Sequence, residues 1–433
     1  MGVQQAVATI RDAAFLEYGC MGHMNYAGKD YKERITDGCK VYSTHLSETD
    51  IALGDLKRLY EAAETVITND HPKALLLTTS SVPEMTGTDL GAAAMELSPL
   101  YPHTKIISFE SGGFGATVCR GIELALDTLA RTLPVDCGKT SDFTYNIIGS
   151  CYDLYNYRAD AEEIVRMMWA SFNAKPLCIL SSDTDVDKIE RMGGAHLNLV
   201  IRKEGIKAAT RLQDRFGTPM VCGRPYGTLQ TRKWIGDIEE AAGRASDRAS
   251  IRRDCAEVAG IVETARRGAE GVPELFLGGN ADVVGGIASF AEQELGLKIG
   301  AKWSDDPASV TADIPFFDEA KRMEALKAEQ YLLLANTELI TYSGKDGVVI
   351  AGTELAGKGL NIYAQPYVGL RGAANLAERL IENAAPQGRG GGRPSGGRPD
   401  GDGRPNGGGR PNGGGRPDGG GRSGGRSGSG ARH

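Results

Sequence analysis

Cys20, His23 and Cys39 fall within a glycine-punctuated stretch, YGCMGHMNYAGKDYKERITDGC, at positions 18–39. A cysteine behind a glycine in a turn presents its sulfur with little steric obstruction, and a deprotonated thiolate is the usual ligand of iron–sulfur clusters. His23 is close enough in sequence to share a site with Cys20, and Cys39 repeats the glycine–cysteine setting as DGC. Spacing alone leaves two readings open: metal ligation, or packing, since free cysteines are among the most buried residue types. The chain has eight cysteines and no CxxC pair, which removes zinc ribbons and thioredoxin-type redox motifs. His45 in STHLSE either orients the same turn or is a satisfied core histidine.

Those residues need a scaffold, and the pattern around them supplies one. Short apolar runs alternate with amphipathic helical stretches: KALLLTT (73–79), KIISFES (105–111), DFTYNIIGSC (142–151), KPLCILSS (175–182), AHLNLVI (195–201), TPMVCGRP (218–225), then PELFLGG, QYLLLAN and VVIAGTE. Strands alternating with helices of about 10–15 residues predict α/β architecture with doubly wound, Rossmann-like parallel sheets. In such sheets ligands gather beyond the carboxyl ends of the strands. IRDAAFLEY (10–18) reads as helical, leading into the Gly19-Cys20 turn. Three α/β domains fit the length, 1–140, 141–270 and 271–386, with a charged helical pair at 232–270. A tail, 387–433, repeats Gly-Arg-Pro units and is expected to be disordered.

The tail holds nine arginines against three aspartates, a net of +6, so residues 1–386 carry −13 of the whole chain's −7. An acidic body is a poor general nucleic-acid binder; only the tail could serve as a tether for RNA or an acidic partner. Hydrophobic residues make up 41% of the 433, enough for a sizeable core. No run of about 18 apolar residues suggests a membrane span, and the N-terminus lacks a secretory apolar region, so the expected location is the cytoplasm. No GxxxxGK[ST] is present, so ATP hydrolysis is not expected.

Several segments in order resemble the nitrogenase component 1 type oxidoreductase family. The matches are Gly19-Cys20; Glu48, Asp50, Gly54 and Leu59; Pro83, Glu84, Gly87 and Asp89; NIIGSCYDLYNYRADAEEIVRMM (146–168); AHLNLVI (195–201); FGTPMVCGRPYGTLQTRKWI (216–235); and QPYVGLRGAANLAERL (365–380). The resemblance covers essentially all of 1–386. It implies a three-domain α/β subunit that pairs with a homologous subunit, in a heterotetramer, and is reduced by an ATP-dependent iron–sulfur reductase protein. It implies an iron–sulfur cluster, 4Fe–4S or a P-cluster-like 8Fe form, shared between subunits, with Cys20 as a ligand.

Departures from the family pattern sharpen the expectation. The family's Cys-Pro-Glu turn reads SSVPE here, which makes Ser81 the candidate in place of that cysteine and Cys39 a candidate substitute ligand. Gly19, and Gly112 and Gly113 of the GGFGA turn, are expected to let the backbone approach the cluster. The GGFGA turn otherwise reads as a tight strand-to-helix turn or a phosphate loop. GRPYGTLQTRKW (223–234) is either a domain-interface loop or the wall of a substrate cavity. The family's cofactor-bearing subunit has a cysteine after the LNLV strand and a C-terminal histidine; this chain reads LNLVIRKEG and NIYAQPYVGLRG, with neither. The resemblance therefore implies the non-cofactor-bearing subunit of a nitrogenase-like reductase acting on a small molecule, in the manner of methylthio-alkane reductase. Alternatives are a dark-operative tetrapyrrole reductase subunit, a non-catalytic metallocluster scaffold, and an ordinary small-molecule-binding protein whose cysteines pack.

Overall fold

The computed structural model describes residues 1–20, 38–54, 56–110, 116–345, 347–351 and 365–384. His23, Gly112, Gly113 and the Gly-Arg-Pro tail lie outside the described residues. Three four-stranded parallel sheets follow one another along the chain. The first holds β1 (Ala13–Tyr18), β2 (Lys40–Ser43), β3 (Ala74–Thr79) and β4 (Lys105–Phe109) in the order β2-β1-β3-β4. The second holds β5 (Thr144–Ser150), β6 (Lys175–Ser181), β7 (Leu197–Val200) and β8 (Met220–Cys222) in the order β8-β7-β5-β6. The third holds β9 (Leu275–Gly279), β10 (Ile299–Ser304), β11 (Leu332–Asn336) and β12 (Gly347–Ala351) in the order β10-β9-β11-β12. The mixed α/β class with parallel sheets is as the sequence predicts, and the charged stretch at 232–270 forms most of two helices, Gly227–Ala242 and Arg248–Arg267.

Each sheet is apolar on both faces, and neighbouring residues along a strand serve different cores. Ala13 and Phe15 of β1 join Ala74 and Leu76 of β3 in a core that also takes Ile148, Leu180 and Val200 of the second sheet. Ala14, Leu16, Leu75 and Leu77 face the other way, against the helices Lys57–Asp70 and Leu90–Leu97. In the second sheet Tyr145 and Ile147 point to a core shared with Leu275, Leu277, Leu332 and Leu334 of the third, while Leu333 and Phe276 pack outward with Trp303 and Tyr331. Side chains alternate across a strand, so a continuous apolar run has to be buried on both faces. Full burial of each leucine, isoleucine, valine or phenylalanine among them stabilises by roughly 1.5–3 kcal/mol.

One element differs from the expectation. The stretch read as helical before Cys20 contains β1, a strand paired on both sides, with Ala14 opposite Lys40 and Leu75. The apolar run AAFLEY follows neither a two-residue nor a helical period, and its alanines have no strong β preference. Burial between two cores decides its conformation.

Candidate functional site

Parallel pairing places the ends of β1 and β3 side by side, with Tyr18 opposite Thr79. One residue further on, the Ser80 N–H donates to the Tyr18 carbonyl at 3.0 Å. Gly19 then meets Ser80 directly: a Cβ at Gly19 would lie 2.6 Å from Ser80 Oγ. Only glycine allows the two turns to touch there.

The Gly19 peptide is held from the other side by the segment after β2. Its N–H donates to Thr44 Oγ1 at 3.0 Å. Its carbonyl accepts the Leu46 N–H at 2.9 Å and faces the Ser43 and Thr44 hydroxyls, both at 3.3 Å. The clamp presents Cys20 half-buried, packed on the margin of the core formed by Leu16, Tyr18, Leu46 and Leu59. Ser81 opens a short helix, Ser81–Met85, and is also half-buried. Ser80 Oγ is buried with no hydrogen-bond partner among the described residues. The turn that follows is braced by Thr86 and Thr88, whose hydroxyls both donate to the Pro83 carbonyl at 2.8 Å. Asp89 then caps the helix Leu90–Leu97 by accepting the Ala92 N–H at 2.8 Å. His45 is exposed beside this edge, at φ 54°.

Cys20 and Ser81 are thus brought to one edge, the carboxyl edge of the first sheet. Cys39 is not. It precedes β2, whose Lys40 pairs with Ala14, so it stands level with Ala13 at the amino edge. Cys20 is seven positions further along, about 20 Å at the rise of a strand. Cys39 is 1% exposed in the core between the first two sheets, and burial pushes its thiol well above the usual range. A parallel crossover returns the chain to the opposite end of the sheet, and that is why two cysteines in similar sequence settings end far apart.

A second polar cluster, absent from the sequence reading, joins the loops beyond all three sheets. Arg202, just after β7, is buried and donates to Asp153 and Glu204, each at 2.8 Å. Asn280, after β9, donates to Glu204 Oε1 at 3.0 Å and approaches the Cys119 sulfur at 3.7 Å. The Cys119 N–H donates to Asp306 at 2.9 Å. Burial alone would raise the Glu204 carboxyl, but the Arg202 charge and hydrogen bond overcome it and hold it down to about 2. Burial, with the Glu204 charge beside it, pushes the Cys119 thiol up. Arg224, after β8, is buried against Asp160, which also accepts the Tyr367 N–H at 2.7 Å. Only Arg224 in GRPYGTLQTRKW hinted at this cluster.

An iron–sulfur cluster is ordinarily held by four cysteine thiolates. The described residues bring the Cys20 thiol and the Ser80 and Ser81 hydroxyls to the carboxyl edge of the first sheet, with a glycine that leaves the backbone bare. That donor set suits a share of a cluster shell completed elsewhere, not a whole one; among the described residues no group of three or more metal-type side chains converges.

Residues 1–384 match the model of the family described as nitrogenase component 1 type oxidoreductase. The chain belongs to this family. The nitrogenase iron-molybdenum cofactor biosynthesis protein NifE of Rippkaea orientalis is 27% identical over 57% of this chain and 52% of its own length. NifE of Bradyrhizobium diazoefficiens is 27% identical over 55% of this chain and 43% of its own. A subunit of the light-independent protochlorophyllide reductase of Roseobacter denitrificans is 25% identical over 40% of this chain and 33% of its own. The chain thus spans about half or less of the length of these relatives. Among solved structures, "Nitrogenase Cp1 at pH 6.5" superposes with a TM-score of 0.75 at 16% identity, covering 88% of this chain and 91% of the other; this likeness is one of fold. No helix among the described residues is long and apolar enough to cross a membrane.

Proposed function

We propose that this chain is a subunit of a nitrogenase-like reductase and supplies Cys20 to an iron–sulfur cluster shared with a homologous subunit. The observation that carries the reading is the clamped Gly19-Cys20 turn. A half-exposed thiol stands at the carboxyl edge of a parallel sheet, where the absence of a Cβ on Gly19 admits Ser80. Leu53, Val82 and Met85 belong to helices that begin from that same edge, after β2 and β3, and are exposed at 75%, 38% and 70%. Apolar side chains left in water beside a candidate ligand suit a surface that a second subunit covers.

On this reading a bound cluster would supply one-electron storage, with an ATP-dependent iron–sulfur reductase protein as the electron source. This chain's residues set its surroundings. Cys20 supplies the thiolate, Ser81 is the further oxygen donor, and Thr44 and Leu46 hold the turn. The substrate is a small molecule, with carbon–sulfur cleavage of methylthio-alkanes the first candidate and tetrapyrrole reduction the second.

A second reading is favoured by the NifE relatives: a scaffold on which a metallocluster is assembled without turnover. Both readings place iron at Cys20, so one experiment tests that part. Iron and sulfide are measured per chain after anaerobic purification with a co-expressed partner subunit. Cys20→Ala is expected to lose most of the iron, and full iron in that variant overturns the assignment. Turnover with the reconstituted reductase partner separates the enzyme subunit from the scaffold.

A further inference from the structure

A cavity of about 330 Å³ lies beyond the carboxyl ends of β7 and β8 and shares no lining residue with the cluster edge. Its apolar lining comes from Val200, Ile201 and Ile206. Gly285 and Gly286, on the helix Ala281–Phe290, form a wall without side chains, and Gly286 is obligatory, since a Cβ there would lie 2.1 Å from the Tyr226 ring. The polar lining is Arg202, Lys203, Arg224, Gln230, Asp282 and the exposed Cys222. The volume is in the range of small-molecule sites, which run from roughly 300 to 1,000 Å³ with a few polar groups in an apolar lining.

The cations in this lining have more donors than the protein uses. The Arg202 side chain is 1% exposed and the Arg224 side chain 4%. Arg202 satisfies Glu204 and Asp153 with Nε and Nη1, and its Nη2 has no hydrogen-bond partner among the described residues. Arg224 meets Asp160 through Nη2, and its Nε and Nη1 have no hydrogen-bond partner among the described residues. A guanidinium carries five N–H donors in a fixed fork that matches carboxylate and phosphate, and a buried charged donor left without an acceptor is costly. Lys203 adds a third cation; among the described residues no carboxylate lies within ion-pair distance of its Nζ, which rests on the Val310 carbonyl at 3.0 Å. The lining's carboxylate, Asp282, is committed to the Lys203 N–H at 2.7 Å, and burial pushes its carboxyl above the ordinary range despite that bond.

We infer that this cavity binds a small organic oxyanion, its carboxylate or phosphate group against Lys203 and the two arginines and its apolar part against Val200, Ile201 and Ile206. The site is independent of the cluster edge and stands whether or not Cys20 holds iron.

Cys222 lines the cavity and reports on it directly. Cys137 is the control, because it is also exposed but precedes β5 and so lies toward the amino edge of the same sheet. The full chain is alkylated with iodoacetamide, which is uncharged, and the rate at each cysteine is read by peptide mass spectrometry. Inorganic phosphate and malonate are titrated at constant ionic strength set with chloride. The expected result is saturable protection of Cys222 by at least one oxyanion, with Cys137 unchanged. At ten times the dissociation constant, mass action leaves about one site in eleven open, a roughly tenfold slowing. Lys203→Ala, on the half-buried rim, and Arg224→Lys, which keeps a cation against Asp160 but removes the unpartnered nitrogens, are expected to lose the protection. Lys203→Ala decides if Arg224→Lys does not fold. No protection by either oxyanion, parallel slowing at Cys137, or full protection retained in Lys203→Ala overturns the proposal.

Discussion

The α-carbon of Gly19 lies against the side chain of Ser80, close enough that a Cβ would come 2.6 Å from Ser80 Oγ and 2.7 Å from Ser80 Cβ. Both residues are tied to the strands behind them, Gly19 through Thr44 and Leu46 and Ser80 through Tyr18, so neither can retreat cheaply. Gly19→Ala is therefore expected to destabilise by about 1–3 kcal/mol, the usual cost of an overpacked contact. Chemical denaturation checks this as a lower midpoint with unchanged slope. The same variant is expected to purify with less iron, because the displaced turn carries Cys20.

Cys39→Ala separates packing from ligation. Its thiol is sealed in the core between the first two sheets, so truncation is expected to cost about 1 kcal/mol through lost burial. Iron per chain should stay at the wild-type level. A loss of iron matching that of Cys20→Ala would place Cys39 in the shell after all.

Removing Arg202 leaves Asp153 and Glu204 without their shared cation in a buried setting. Arg202→Met is expected to destabilise by about 3–5 kcal/mol, because an unpaired buried charge costs more than the pair contributes. Adding Glu204→Gln to that variant should restore part of the loss. The midpoints of thermal unfolding for the two single variants and the double variant give the coupling directly.

The Glu204 carboxyl has a folded-state value of about 2 against an ordinary 4.5, burial pulling it up and Arg202 pulling it further down. A depressed value means the unfolded chain takes up a proton first. The stabilisation is fully present above pH 4.5 and is lost as the pH falls toward 2. Acid titration of unfolding stability is expected to fall more steeply across that window in the wild type than in Glu204→Gln. Parallel curves would remove Glu204 from the account.

Particular residues show how far the sequence could be read. The strands at 73–79, 105–111 and 142–151 stand out as apolar runs bounded by turns, and the observed strands Ala74–Thr79, Lys105–Phe109 and Thr144–Ser150 lie inside them. Ala13–Tyr18 does not stand out, because AAFLEY follows neither a two-residue nor a helical period and its alanines have no strong β preference. Cys20 and Ser81 could not be paired from the strand rhythm, since the stretch before Cys20 reads as helical; only the observed strand Ala13–Tyr18 places both residues beyond one parallel sheet. Cys39 could not be set aside either, because Lys40–Ser43 is not among the apolar runs that announce a strand; only the observed parallel pairing puts a residue just before it at the amino edge.

Composition, strand–helix rhythm and the ordered motifs determined by themselves an α/β chain of the nitrogenase component 1 type family, with Cys20 in an unobstructed turn. Those properties are local, set by side-chain period and turn chemistry within some ten to twenty residues. Only the tertiary structure decided that Gly19 meets Ser80, that Cys39 faces away, and that Cys119, Asp153, Arg202, Glu204, Asn280 and Asp306 form one network around the buried Arg202–Glu204 pair. Such contacts join residues far apart in the chain, and they exist because three sheets bury both faces and their carboxyl ends are thereby brought together.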